Sequence, residues 1–125
     1  MRPDAPHLPH LAPIEAYGNG GFRFAGMSHR GSLLCLPGGI WAWPVRAPAE
    51  INEASLALGP EHKDALDFFI LGTGRDLWVP PQRLRQHLRE AARSVDAMST
   101  GAAVRTFNVL LAENRRVGAA LIAVD

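Results

Sequence analysis

The chain has 125 residues and a formal net charge of +1, from 13 basic and 12 acidic side chains. That length suits one domain. With 47% hydrophobic and 20% charged residues, it excludes a collagen, a coiled coil and wholesale disorder. Near-neutral charge gives no field for nucleic acid or an anionic membrane, and no run approaches the ~18 apolar residues of a membrane helix.

Residues 1–13 carry Pro3, Pro6, Pro9 and Pro13 with His7 and His10. Proline at this spacing supplies no repeating donors and predicts a flexible, extended arm ahead of one globular domain over 14–125. The arm lacks the apolar core of a secretory signal, and its prolines and Asp4 make a poor transit peptide, so the chain reads as soluble and cytoplasmic. Pro9 keeps His7 and His10 off a common helix face and no Cys or carboxylate cluster joins them, so no metal site is expected. Cys35, alone in the apolar run Leu33 to Leu36, reads as a buried, inert thiol.

Residues 14–47 predict an antiparallel meander of about four short strands. Ile14 to Tyr17, Phe22 to Phe24, Ser32 to Leu36 and Ile40 to Trp43 are separated by glycine-rich turns. Residues 50–58 favour a short helix over a strand, stopped by Gly59-Pro60. Asp67 to Leu71 is a buried strand ended by Gly72-Thr73-Gly74. Pro81 opens a helix to about Arg93, with Leu84, Leu88, Ala91 and Ala92 on its apolar face. Ser94 to Met98 is a brief strand. Ser99 or Thr100 caps a second helix to about Glu113, with Ala103, Phe107, Leu110 and Leu111 inward. Val117 to Val124 is a last apolar strand. The fold class is therefore α/β (α+β): a parallel βαβαβ core in a mixed sheet, with the meander beside or across it.

Chemistry is sparse. Gly72-Thr73-Gly74 lies at the carboxyl end of a parallel strand, where open α/β sheets bind ligands, and its backbone could form an anion nest. Asp96 follows about 22 residues on, but Leu77 replaces the third glycine of a dinucleotide fingerprint and Asp76 to Pro80 delay the helix. The chief reading is a tight strand-end turn; a small-ligand site at Gly72, Thr73 and Gly74, lined by Asn108, is the alternative. Arg85, Arg89 and Arg93 at i, i+4, i+8, with Arg83, form either a solvated face or a docking face for an acidic partner. Asn108 beside the apolar stripe is expected to tie its helix to a loop backbone. Glu113 is expected to pair with Arg115, Arg116 or a distant arginine. His29, His62 and His87 stand apart, and no nucleophile–base arrangement, phosphate loop or paired carboxylates stand out.

The string Ile70-Leu71-Gly72-Thr73-Gly74, Pro80-Pro81, Asp96-Ala97-Met98-Ser99-Thr100, Thr106-Phe107-Asn108 and Leu110 to Val117 resembles one small family. That family includes the mitochondrial complex I assembly factor three, the adipogenesis-associated domain protein and many uncharacterised bacterial and archaeal proteins. The resemblance covers about Ile14 to the end. It implies a compact three-layer domain with a central mixed sheet, helices on one side and extra strands on the other, and no established enzymatic activity or cofactor. The family's recurring pieces fall on Gly72 to Gly74, Met98 and Thr100, Thr106 to Asn108, and Glu113 and Arg115. Phe107 stands where a tyrosine is common, and Asp96 where a glutamate is frequent. The function it implies is non-enzymatic assembly, with a protein partner such as complex I subunits or another assembly factor.

Overall fold

A computed structural model describes residues 6–57 and 65–125. Leu58, Gly59-Pro60 and His62, like Pro3 and Asp4 of the arm, lie outside the described residues. Strands β1 (Ile14–Gly18), β2 (Gly21–Phe24) and β3 (Met27–Arg30) form one antiparallel sheet. Five others, β4 (Ser32–Leu36), β5 (Gly39–Trp43), β6 (Leu66–Gly72), β7 (Ala92–Met98) and β8 (Val117–Leu121), form a mixed sheet in the order β5-β4-β8-β6-β7. β6 runs parallel to both β7 and β8, while β4 is antiparallel to β5 and β8.

The expected meander is thus split between two sheets. β4 is buried along its whole length, Ser32 to Leu36, so it needs neighbours on both faces and takes an inner place beside β8. β3 is largely exposed and stays outside. Gly31, at φ +97°, makes the turn that parts them.

Residues 50–57 do not form the expected helix. A 3-10 turn covers Pro48–Glu50. After it, Asn52 Oδ1 accepts from Ser55 N at 2.9 Å, while Ser55 Oγ donates to Asn52 O at 2.9 Å. Short polar side chains here compete for the groups a helix would use.

Helix α1 (Gln82–Arg89) starts after Pro81 and stops four residues before the expected Arg93. Ala91 and Ala92 are good helix formers, but Ala91 O accepts from Leu66 N at 2.9 Å and Ala92 pairs with Leu66. Sheet pairing overrides helix propensity, and Arg93 becomes a β7 residue. Helix α2 (Thr100–Ala112) begins at Ser99, whose hydroxyl accepts from Ala102 N.

The helices lie on opposite faces of the mixed sheet, not on one. Leu84 and Leu88 of α1 share a core with Trp43, Leu56, Phe69, Leu71 and Val95. Ala103, Val104 and Phe107 of α2 share the other with Ile14, Phe22, Phe24 and Ile70. The chain moves outward from β6 to β7, then back across β6 to β8. Right-handed crossovers in opposite directions must cover opposite faces. The small sheet packs on the α2 face, which completes the third layer.

Of the arm, Leu8 makes one antiparallel bridge to Ile40 at the edge of β5, with bends at His7, Pro9 and His10. His7 N and Leu8 N donate to Ile40 O at 2.8 and 3.4 Å, and Ile40 N donates back to Leu8 O at 2.9 Å. No described helix is long and apolar enough to cross a membrane.

Candidate functional site

β6 leads to α1 and β7 leads to α2, on opposite faces, so the carboxyl ends of β6 and β7 flank a topological switch point. Gly72, Thr73 and Gly74 lie there. Thr73 N donates to Met98 O at 2.9 Å. Thr73 Oγ1 donates toward Asp76 O at 2.7 Å, lies 3.2 Å from Met98 O, and accepts from Trp78 N. Gly74 N donates to Thr100 Oγ1 at 2.9 Å, and Thr100 N donates to Gly74 O at 2.8 Å. Thr100 Oγ1 in turn donates to Ile122 O at 2.7 Å, and Ile122 N donates to Gly72 O at 3.0 Å. The crevice is laced shut by these bonds. The N–H groups of Thr73 and Gly74, which would have formed the nest, are spent on protein acceptors.

Gly72 admits the helix: a Cβ there would stand 3.0 Å from Leu121 Cδ2 and 3.1 Å from Ala103 Cβ. Gly74 has φ +97°, a conformation that β-branched residues avoid. Beside it lies a cleft of about 540 Å³, lined on one side by Thr73 to Trp78 and on the other by Arg46 to Pro48 and Ile122 to Asp125. Asn108 does not line it, although the alternative ligand-site reading would have it do so. Its amide is engaged elsewhere: Asn108 Oδ1 accepts from Ile14 N at 2.8 Å, and Nδ2 donates to Ile14 O at 2.9 Å.

The remaining family positions knit α2 and its exit. Thr106 Oγ1 sits 3.5 Å from Met98 Sδ. Phe107 is fully buried. Glu113 caps α2 with its backbone N–H and does not pair with Arg115 or Arg116. Arg115 instead meets Asp67 at 3.5 Å and stacks over the Phe68 ring at 4.9 Å. The backbone N–H of Arg116 and the charges of Arg115 and Arg116 hold the Asp67 carboxyl below its ordinary range.

The four arginines divide into two groups. Arg83 Nε lies 3.5 Å from Glu53, and His87 Nε2 is 2.9 Å from Leu56 O, so this flank of α1 holds the loop after β5. Arg85 and Arg89 sit more than half a turn away, on the opposite flank, with Arg85 half-buried and Arg89 exposed. Arg93 is exposed on β7. Leu77 and Val79, 64% and 69% exposed, project from the loop between β6 and α1 while Trp78 packs inward between them. Sequence reading passed over this pair, because Leu77-Trp78-Val79 is uniformly apolar and carries no signal that distinguishes the outward side chains from the inward one.

Residues 14–122 match the model of a family described as protein of unknown function (DUF498/DUF598). A crystal structure titled as an outer membrane protein from Bartonella henselae superposes with a TM-score of 0.85 at 52% identity, over 95% of this chain and 100% of that one. An uncharacterized protein of Rhodobacter capsulatus is 37% identical over 98% of this chain and 93% of its own length. The NADH dehydrogenase (ubiquinone) 1 alpha subcomplex assembly factor 3 of Drosophila melanogaster is 34% identical over 87% of this chain. This chain spans 57% of that relative's length.

Proposed function

The chain belongs to the DUF498/DUF598 family, and on that footing we propose that it is a non-enzymatic cytoplasmic assembly protein that binds a protein partner and serves the respiratory NADH dehydrogenase. One observation carries the reading beyond the relative's name. The position where this fold would take a small ligand, the switch point at Gly72 to Gly74, is closed by the chain's own hydrogen bonds. What the chain offers outward is surface: Leu77 and Val79 exposed, with arginines on α1 and β7. Exposed apolar and charged side chains of this kind suit a protein partner.

Affinity purification at low salt from native membrane and soluble fractions tests this. Subunits of the NADH dehydrogenase should co-purify, and Arg85→Glu with Arg89→Glu should reduce their yield. A chain that retains none of them refutes the role.

A second reading, a small anion held beside Gly74, draws on the cleft there, which Arg46 and Arg75 line. Native mass spectrometry of the purified chain distinguishes it: a retained small molecule supports this reading, and a bare chain the first.

A further inference from the structure

The two edges of the mixed sheet are treated differently. At β5, the arm covers the strand with one antiparallel bridge, Leu8 to Ile40. At the other edge, among the described residues, β7 pairs with β6 alone. Met98 O accepts from Thr73 N on the β6 side. By strand alternation from Met98, Ser94 and Asp96 also turn their backbone groups toward β6, while Val95 and Ala97 turn theirs to the open side.

The charges on the α1 flank beside this edge are positive. Val95 packs in the core with Leu84 and Leu88, and Ala97 lies against the same core, so the α1 side is the face of Val95 and Ala97. The Arg83 and His87 flank of α1 faces the loop that follows β5. Its opposite flank, with Arg85 and Arg89, therefore overlooks the β7 edge. Asp96 lies on the other face with Met98, which packs in the α2-side core. Glu90 is one residue beyond Arg89, a quarter-turn away, and is the acid nearest this flank in sequence.

We infer that the β7 edge accepts an extended acidic segment of a partner protein by strand addition, its alternate carboxylates meeting Arg85 and Arg89. Backbone hydrogen bonds give such additions affinity, and alternate side chains give them selectivity. The arginine forks define the charge of the added segment. This inference rests on the partner reading above and names the chemistry of that partner.

The test titrates the labelled chain, at low salt, with a blocked octapeptide of alternating glutamate and valine, and with its lysine counterpart, following backbone amide resonances. The glutamate peptide should shift the amides of Val95 and Ala97 and slow their hydrogen exchange; the lysine peptide should leave them unmoved. Reversing both charges, Arg85→Glu and Arg89→Glu, should weaken the glutamate peptide about fivefold, the joint worth of two exposed ion pairs. Ala97→Pro, which removes an outward donor, should abolish it; if that variant fails to fold, exchange protection in the parent chain decides. No shift, shifts confined to other strands, or equal binding of both peptides overturns the inference. Self-association through β7 that excludes the peptide also overturns it, by assigning the edge to a second copy. A chain that captures NADH dehydrogenase subunits but ignores the peptide keeps the functional reading and loses this one. A chain that binds the peptide but captures none does the reverse.

Discussion

Asn108 of α2 closes a two-bond clasp on Ile14, accepting from its N–H at 2.8 Å and donating to its carbonyl at 2.9 Å. A side-chain amide thereby stands in for a neighbouring strand at the start of β1, across 94 residues of sequence. This is the main polar tie between the small sheet and the helix beneath it.

Asn108→Leu keeps the approximate volume and removes both functions, leaving Ile14 without partners at about 1–3 kcal/mol. Asn108→Asp keeps the acceptor but turns carboxylate charge toward the Ile14 carbonyl, and should fare no better. Denaturant melts of both variants should show clear destabilisation, with β1 amides exchanging faster than those of β6. Parent-like melts would contradict a structural role for the clasp.

Thr100→Val preserves shape at a fully buried position while orphaning Gly74 N–H and Ile122 O. A loss of at least about 2 kcal/mol is expected from two buried groups left unpaired. Gly74→Val should cost about 1–3 kcal/mol for another reason: a Cβ there meets only Ile122 Cγ2 at 3.9 Å, so the penalty is backbone conformation rather than crowding. Gly74→Asn, which tolerates positive φ better, should recover part of it. Equal stability of the valine and asparagine variants would contradict the backbone explanation.

Burial pushes the Cys35 thiol up to about 12. At neutral pH it carries almost no thiolate in the folded chain, and thiolate is the reactive form. A thiol reagent should label the native protein only as fast as the protein opens, and label it at once in denaturant. Rapid labelling without unfolding would place Cys35 nearer the surface than the core position it occupies.

His29 has its pKa lowered from 6.5, by burial first and by the charge of His7 in addition, against a raising hydrogen bond to Ser32 O. The ring of His7 stands 5.0 Å from it. The unfolded chain therefore takes up this proton before the folded one. Stability should be flat above about pH 6.5 and decline as pH falls below it, levelling once the folded form is protonated too. The charged group that opposes its charging is His7 from the arm. In thermal melts across this range, His29→Gln should flatten the decline. An unchanged pH profile would assign the decline to other groups.

How much of this was legible depended on whether local or distant neighbours set each element. The runs ending at Gly72 and starting at Val117 read correctly because their apolar character is intrinsic to a buried strand. The end of α1 did not. Ala91 and Ala92 look helical, and the Leu66 backbone that captures them is about 25 residues away. The arginine stripe inherited that error, and its members proved to be divided between a loop clamp and a sheet edge. Asn108 was readable as a tether from its place beside Phe107, but its partner Ile14 was not. The pairing of Asp67 with Arg115 joins the start of β6 to the turn before β8, and no local spacing announces such a contact.

β8 is the last strand in the chain and the middle strand of its sheet, between β4 and β6. Small residues, Gly118, Ala119 and Ala120, make up most of it, and they fit between layers already crowded with Phe69 and Leu66. Until residues 117–121 emerge during synthesis, β4 with β5 and β6 with β7 are two separate ribbons, each with an unsatisfied edge and an open apolar face. Folding must therefore wait for the carboxyl-terminal segment, and the interval before its arrival is when the nascent chain is most exposed to aggregation.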